Sequence, residues 1–270
     1  MSLTWYKRAA LRSLEKQEYD PAPLVYTVDK TMLCPETFSK YVETHLDEGT
    51  QEFLDEFCSG VEGCMITLFG NMLRFYYSLT DSNAILNRGQ MHVLSTAQLQ
   101  RLLSTEDGNL LVPQPATLLD IGAGDGNVTK NFKPFLCDSN LDSNWKERAV
   151  TTELSYYMVK RLQKQGFTCA ETTTITRDHL VPYLRCEPPA PSRPAFDIVA
   201  LFNVIDRCDR PLTLLQDIKR LITPIEGDQT QTGLFLLAIV FPWGPFVEDG
   251  NGQKTPEEVL PPRGGNVKWP

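Results

Sequence analysis

Short apolar runs alternate with amphipathic stretches from residue 116 onward. The apolar runs predict strands at 116–121, 148–153, 167–172, 196–203 and 233–241. The amphipathic stretches between them predict helices at 126–135, 155–165 and 211–222. This alternation is typical of a parallel sheet with crossover helices, so the chain is predicted to have an α/β, Rossmann-like fold.

The first part of the chain has a helical pattern instead. Apolar residues are spaced three and four apart in FLDEFC and in MITLFGNMLRFYYSL, and Asp81 with Ser82 resembles a helix start. The chain therefore divides into a helical cap or lid over 1–110, a sheet domain over 111–245 and a tail over 246–270. The tail is rich in Gly and Pro, and we expect it to be largely irregular.

Composition narrows the class of protein. With 270 residues and 41% hydrophobic content, the chain can bury a sizeable core. Its net charge of −8 argues against binding nucleic acid through broad phosphate neutralisation. The seven cysteines form no CxxC pair, so we predict reduced thiols and no metal site.

The chain has no apolar stretch of the length that a membrane span requires. The longest one, 234–243, is well short of the roughly 20 residues needed, and the N-terminus lacks the apolar core of a secretory signal. These features predict a soluble, intracellular and cytoplasmic protein.

The run LLDIGAGDG joins the first predicted strand to its helix. It places Gly122, Gly124 and Gly126 at every second position after Asp120. Glycine leaves backbone N–H groups uncovered, so a ligand can approach where a Cβ would block it. The GxGxG spacing differs from the dinucleotide fingerprint GxGxxG and looks like the first motif of S-adenosylmethionine (SAM) methyltransferases. An ordinary glycine-rich turn is the alternative.

Three acidic residues accompany this turn. Glu153 closes the second predicted strand, where a carboxylate can accept both hydroxyl hydrogens of a ribose. It lies 33 residues after Asp120, more than the roughly 20 typical of such units, and the polar insertion 137–147 accounts for the excess. Asp120 is expected to order the turn by accepting from loop N–H groups. Asp125 either braces the turn or lies near the cofactor.

The fourth predicted strand ends in Asn203, with Asp206 three residues later. An amide and a carboxylate at this edge can hold a substrate nitrogen or the cofactor, so these two residues are the predicted catalytic pair. The alternative is that Asp206 or Asp209 only caps the helix that begins near Pro211. Thr173, after the third strand, is placed where adenine would bind.

Several segments together resemble the DREV family, the family of methyltransferase-like protein 9. They are WYKRAALRSL, YYSLTDSNAILNRGQMHVLS, LLDIGAGDGNVT, TTELSYYMVKRLQKQGF, LFNVIDRCDRPLTLLQDIKRLI and LLAIVFPWGPFVE. The resemblance implies a seven-strand methyltransferase fold and a SAM-dependent protein-histidine N-methyltransferase. It implies methylation of the pros nitrogen, Nδ1, in His-x-His motifs of protein or peptide substrates, where x is a small residue. It also implies association with the endoplasmic reticulum or other membranes.

Carried over by residue, the family's cofactor site falls on the glycine turn, Glu153 and Asn203, and its substrate-histidine contacts fall on Asn203 and Asp206. The resemblance further suggests that Arg88 and Ser95 help to close the pocket.

The chain departs from the family pattern in two places. Family members usually have a tyrosine where this chain has Phe246, which lacks the hydroxyl that could orient an imidazole. The family also continues into a further helix and a final β-hairpin, whereas this chain stops at VKWP. We therefore expect C-terminal strands to be missing from the sheet, with a fifth strand whose edge is unpaired.

Two other functions fit the same residues. One is a small-molecule SAM-dependent methyltransferase, which would have a closed pocket and no peptide groove. The other is a non-catalytic SAM-binding or interaction protein, suggested by the expected loss of C-terminal strands.

Overall fold

Five parallel strands form the centre of the protein. The structure, a computed structural model, describes residues 29–59, 73, 76–86, 91–137, 144–228, 232–240, 243–249 and 252–260. The strands are β1 (Leu118–Ile121), β2 (Ala149–Thr152), β3 (Thr168–Ala170), β4 (Ile198–Phe202) and β5 (Leu234–Ala238). They pair in the order β3-β2-β1-β4-β5. The predicted α/β Rossmann-like fold and all five predicted strands are confirmed, although each strand is shorter than predicted.

Helices surround the sheet and precede it. They are α1 (Pro35–Ser39), α2 (Glu48–Ser59), α3 (Leu79–Ile85), α4 (Thr96–Leu102), α5 (Asn127–Lys130), α6 (Lys133–Leu136), α7 (Tyr156–Lys164), α8 (Arg177–Leu180) and α9 (Pro211–Ile222). The predictions for α7 and α9 are confirmed. Ser155 caps α7 by accepting from the N–H of Met158, and Gly166, with φ of 86°, follows its end.

The helix predicted at 126–135 is wrong as a single element. The structure has two short helices, α5 and α6, with Asn131 and Phe132 between them. Pro134 explains the break, because it has no N–H to donate to the preceding turn and its ring clashes with a continuous helix. Phe132 lies at the break and Phe135 just after it, and both side chains are buried in the core.

The sheet separates two hydrophobic clusters because successive side chains of a strand point to opposite faces. Leu118 of β1 packs with Phe132, Phe135 and Leu162 on one face. Leu119 packs on the other face with Leu180 of α8, Leu214 and Ile218 of α9, and Phe196, which lies just before β4. This burial on both faces explains why β4 appears in the sequence as a continuous apolar run. The run of β1 is interrupted by Asp120, and β2 ends in Thr151 and Thr152.

The insertion predicted at 137–147 is not entirely on the surface. Trp145 is buried and its ring meets the ring of Phe167 edge to face, with 5.6 Å between the centroids. Residues 138–143 lie outside the described part of the chain.

Helix α3 begins earlier than the sequence predicts. Ser78 is its N-cap and accepts from the N–H of Asp81, so Asp81 lies inside the first turn rather than at the cap. Ser82 is also inside the helix. The prediction that Asp81 and Ser82 mark the start is therefore wrong by about one turn, because Ser78 supplies the same capping oxygen.

The tail predicted to be irregular contains a β-hairpin. Strands β6 (Val247–Asp249) and β7 (Gly252–Lys254) pair antiparallel. Contacts with distant residues hold this region: Glu248 accepts from Thr80, and the ammonium of Lys254 lies 3.0 Å from a carboxylate oxygen of Asp209. None of the helices in the described ranges has the length and apolar character needed to cross a bilayer.

Candidate active site

The glycine turn lies at the carboxyl end of β1, between the ends of β2 and β4. The N–H groups of Gly122 and Ala123 both donate to the carbonyl of Thr152, at 2.9 and 3.1 Å, which fixes the turn against β2. The adjacent loops after β2 and β4 carry Glu153 and Asn203. In an open α/β sheet the crevice at this change of strand order is where ligands bind.

The three glycines meet different surroundings. A Cβ on Gly122 would lie 2.5 Å from Val204 Cγ2, and one on Gly126 would lie 2.8 Å from Leu162 Cδ2. At those two positions glycine is required by packing within the protein. A Cβ on Gly124 would meet no atom of the described structure within 4 Å, although the φ of Gly124 is 57°. Gly124 therefore faces open space, as a turn that receives a ligand should.

Glu153 points toward this turn. Its Oε2 accepts from the N–H of Gly124 at 3.0 Å, and its Oε1 accepts from the N–H groups of Leu154 and Ser155 at 2.8 and 3.3 Å. The side chain is half-buried. A carboxylate has about four lone-pair sites and three are used here, so Glu153 can accept one further hydrogen bond, at Oε2, at the rim of the open space.

Asp120 is buried beneath the turn. Its carboxylate accepts from the hydroxyl of Thr129 at 2.5 Å, a partner in α5 and not one of the loop N–H groups that the sequence analysis expected. Burial raises the pKa of Asp120 to about 6, the hydrogen bond from Thr129 opposes the increase, and the nearby charge of Glu153 adds to it. At 3% exposure Asp120 supports the turn from below.

The raised pKa of Asp120 predicts a pH-dependent stability. The folded pKa of about 6 lies above the unfolded value of 3.8, so this contribution to stability is present below pH 4 and is lost as pH rises through 6. Asp120→Asn keeps an acceptor for Thr129 and removes the buried charge. The advantage of this variant over the wild type in free energy of unfolding should therefore be larger at pH 8 than at pH 5, by about 1 to 2 kcal/mol. Urea denaturation at both pH values measures it, and an equal gain at both would contradict the assignment.

Asp125 braces the turn. It accepts from the N–H and the side-chain amide of Asn127 at 3.1 and 2.7 Å, and its Oδ2 lies 3.9 Å from the Arg161 guanidinium. The side-chain amide of Gln165 donates to the Asp125 carbonyl at 2.6 Å. Of the two alternatives that the sequence left open, these contacts favour bracing.

Asn203 follows β4 in a left-handed conformation, with φ of 55°. Asparagine adopts this conformation more readily than most residues, and here it turns the chain away from the sheet. The N–H of Asn203 donates to the carbonyl of Ala238, while its side-chain amide donates to Met91 Sδ at 3.0 Å. The half-buried amide is thus held between β5 and the segment that precedes α4.

Asp206 is 9% exposed, and its Oδ1 is buried without a hydrogen-bond partner among the described residues. The alternative that Asp206 or Asp209 caps α9 is not supported, because the N-cap is Arg210 and the first-turn N–H of Thr213 donates to Glu258 instead. Asp209 instead accepts from the ammonium of Lys254 and the N–H of Glu257. A buried oxygen without a donor costs about 1–3 kcal/mol, which a ligand that donates to it would recover.

The remaining predicted residues lie further from the turn or have other partners. Phe246 donates its N–H to the carbonyl of Asp206 and stacks under Arg207, whose guanidinium carbon is 5.2 Å from the ring centroid. Thr173 is exposed in the loop after β3. Arg88 lies outside the described residues.

Ser95 has a structural role that the sequence analysis did not anticipate. It is the N-cap of α4, where it forms a capping box with Gln98, and its hydroxyl donates to Asp47. Because the hydroxyl is buried and engaged in this way, it is not free to contact a substrate.

The structure also brings residues to the site that sequence reasoning missed. Asp81 accepts from the Ser155 hydroxyl at 2.5 Å, beside Glu153, and Met91 contacts Asn203. Both lie in YYSLTDSNAILNRGQMHVLS, one of the six segments that resemble the DREV family. The resemblance of this segment to the family is the sequence signal that could identify Asp81 and Met91.

The open parallel sheet, the glycine turn and the carboxylate after β2 are features of a Rossmann-like α/β protein. The sequence model of the DREV methyltransferase family matches residues 25–268. The chain therefore belongs to the DREV methyltransferase family, as the sequence resemblance predicts.

Solved structures show more distant similarity. The CurJ carbon methyltransferase is 12% identical, with 66% of this chain and 50% of that chain covered and a TM-score of 0.31. DesVI from Streptomyces venezuelae is 15% identical, with 74% and 60% covered and a TM-score of 0.32. This chain thus spans between half and two thirds of the length of these two proteins. At such TM-scores the similarity shows no more than a distant likeness.

Proposed function

We propose that this chain transfers a methyl group from SAM to the pros nitrogen, Nδ1, of a histidine in a His-x-His motif of a protein or peptide. The family membership supports methyl transfer. The observation on which the histidine assignment depends most is Asp206, whose buried Oδ1 lacks a donor in the loop beside the glycine turn. An imidazole N–H is a donor of the kind that this oxygen requires.

The residues around the turn fit SAM. The open space at Gly124 leaves room for the cofactor against the backbone, and Glu153 Oε2 can accept from a ribose hydroxyl. Asn203 supplies an amide at the neighbouring strand end. When bound, SAM supplies an electrophilic methyl group, whose bond to sulfur breaks as the imidazole lone pair forms the new C–N bond.

Asp206 would select the reactive form of the histidine. If its carboxylate accepts from Nε2–H, the neutral imidazole is held in the tautomer whose Nδ1 lone pair is free. The same carboxylate would then stabilise the positive charge that develops on the ring during transfer. No strong base is needed, because the neutral nitrogen already has its lone pair. The rest of the reduction in the activation barrier would come from orientation, because the site holds the methyl group and the nitrogen in line.

The net charge of −8 is compatible with a histidine-rich, partly cationic peptide. A negative net charge favours the encounter with a cationic peptide but does not select the His-x-His motif. The specificity must therefore come from contacts to the histidine itself, of which Asp206 is the principal candidate.

The test is incubation of the protein with methyl-labelled SAM and a His-Ala-His peptide, followed by mass spectrometry that locates the label. We expect label on Nδ1 of one histidine, and a matched Ala-Ala-Ala peptide should remain unlabelled. A small-molecule methyltransferase would leave both peptides unlabelled. A non-catalytic SAM-binding protein would show SAM binding by calorimetry without turnover. Either result would contradict the proposal.

A further inference from the structure

Helix α3 is attached to the candidate cofactor site by a side chain that the proposed function does not use. The carboxylate of Asp81 accepts from the hydroxyl of Ser155 at 2.5 Å, across 74 residues of sequence. Ser155 is buried, and Asp81 is half-buried. A charge-assisted hydrogen bond in such surroundings is stronger than one in water, so it can fix the position of the groups that it joins.

Ser155 is itself coupled to Glu153. The N–H of Ser155 donates to Glu153 Oε1 at 3.3 Å, and the Ser155 hydroxyl caps α7 by accepting from Met158. Because its oxygen accepts while its hydrogen donates to Asp81, the rotamer of Ser155 is fixed from both sides. Asp81, Ser155 and Glu153 thus form a continuous chain from α3 to the rim of the open space at Gly124.

Further contacts hold α3 in this place. The rings of Tyr77 and Tyr157 meet edge to face, with 5.9 Å between the centroids. At the start of the helix, the hydroxyl of Thr80 donates to Glu248 of β6 at 3.0 Å. The helix therefore connects the β2–α7 loop to the hairpin.

We propose that Asp81 is a positioning residue, which acts through Ser155 to hold the carboxylate of Glu153 in the orientation that binds the ribose of SAM. This inference rests on the proposed use of SAM. Asp81 makes no contact with the cofactor in this account. Asp81 reduces the conformational freedom of the β2–α7 loop before SAM binds, so less conformational entropy is lost on binding.

The experiment is a calorimetric titration of SAM into the full chain and its variants. Asp81→Ala removes the acceptor and should weaken SAM binding about five- to tenfold. Asp81→Asn retains an acceptor oxygen and should lose no more than about threefold. Ser155→Ala should behave like Asp81→Ala, whereas Ser155→Thr keeps the hydroxyl and should restore most of the affinity. Asp217→Ala is the matched control, because Asp217 pairs with Arg220 on α9, and it should bind SAM as the wild type does.

A double-mutant cycle separates positioning from general destabilisation. In a Glu153→Gln background, Asp81→Ala should cause little further loss of affinity, because the group that it positions has already been altered. The inference would be overturned if the fold-losses of SAM affinity in Glu153→Gln and Asp81→Ala multiplied in the double variant. It would also be overturned if Asp81→Ala bound SAM with wild-type affinity. Either result would leave the proposed function intact. A wild-type chain that binds no SAM would overturn both.

Discussion

Gly124→Arg is expected to abolish SAM binding while the protein remains folded. Gly124 faces open space in which a Cβ meets no described atom within 4 Å, so the arginine side chain would occupy the volume assigned to the cofactor. The loss of affinity should exceed about a hundredfold, because the ligand and the side chain cannot share the site. Calorimetry with SAM measures the effect, and thermal unfolding checks the fold.

Gly108→Arg is a matched control for this substitution. Gly108 also has a positive φ, of 80°, and also faces open space, so the two variants should share a backbone cost of about 1–2 kcal/mol. Gly108 lies in the loop before β1, away from the candidate site. Its variant should bind SAM with unchanged affinity. Retained SAM binding by Gly124→Arg would show that the pocket lies elsewhere.

Asp206→Asn is expected to slow methyl transfer about a hundredfold and leave SAM affinity within about twofold of the wild type. The substitution removes the negative charge that stabilises the developing imidazolium, while the shape of the side chain is nearly kept. Single-turnover transfer to a His-Ala-His peptide measures the rate, and calorimetry measures the affinity separately. This division between rate and cofactor affinity distinguishes a catalytic group from one that only supports the pocket.

Asp209→Asn is the control for Asp206→Asn. Asp209 is three residues further along the same loop, and its carboxylate accepts from Lys254 and Glu257. Its loss should weaken the attachment of the hairpin region and leave the transfer rate within about threefold of the wild type. Equal rates for Asp206→Asn and the wild type would show that Asp206 has no part in the reaction.

The central sheet could be predicted from the sequence because each strand is specified by its own residues and their immediate neighbours. Strands buried on both faces favour continuous apolar residues; β4 shows such a run, and β1 is apolar apart from Asp120. The three glycines predict the turn after β1. Ser155 and Gly166 are the signals for the start and the end of α7. Each of these signals lies within a few residues of the feature that it predicts.

Features that depend on distant partners were missed. The pairing of Asp81 with Ser155 spans 74 residues, and no local pattern specifies it. The hairpin β6–β7 is short and polar, and contacts such as Glu248 to Thr80 hold its region in place. Its DGNG sequence is a local hairpin signal, but the high Gly and Pro content of the surrounding tail predicts irregular structure.

The most direct test of the cofactor site is a crystal structure of the protein with S-adenosylhomocysteine, the product of methyl transfer from SAM. We predict that a ribose hydroxyl lies within hydrogen-bond distance of Glu153 Oε2 and that the ligand fills the space beside Gly124. A ligand bound elsewhere, with Glu153 still bonded only to backbone N–H groups, would contradict this account.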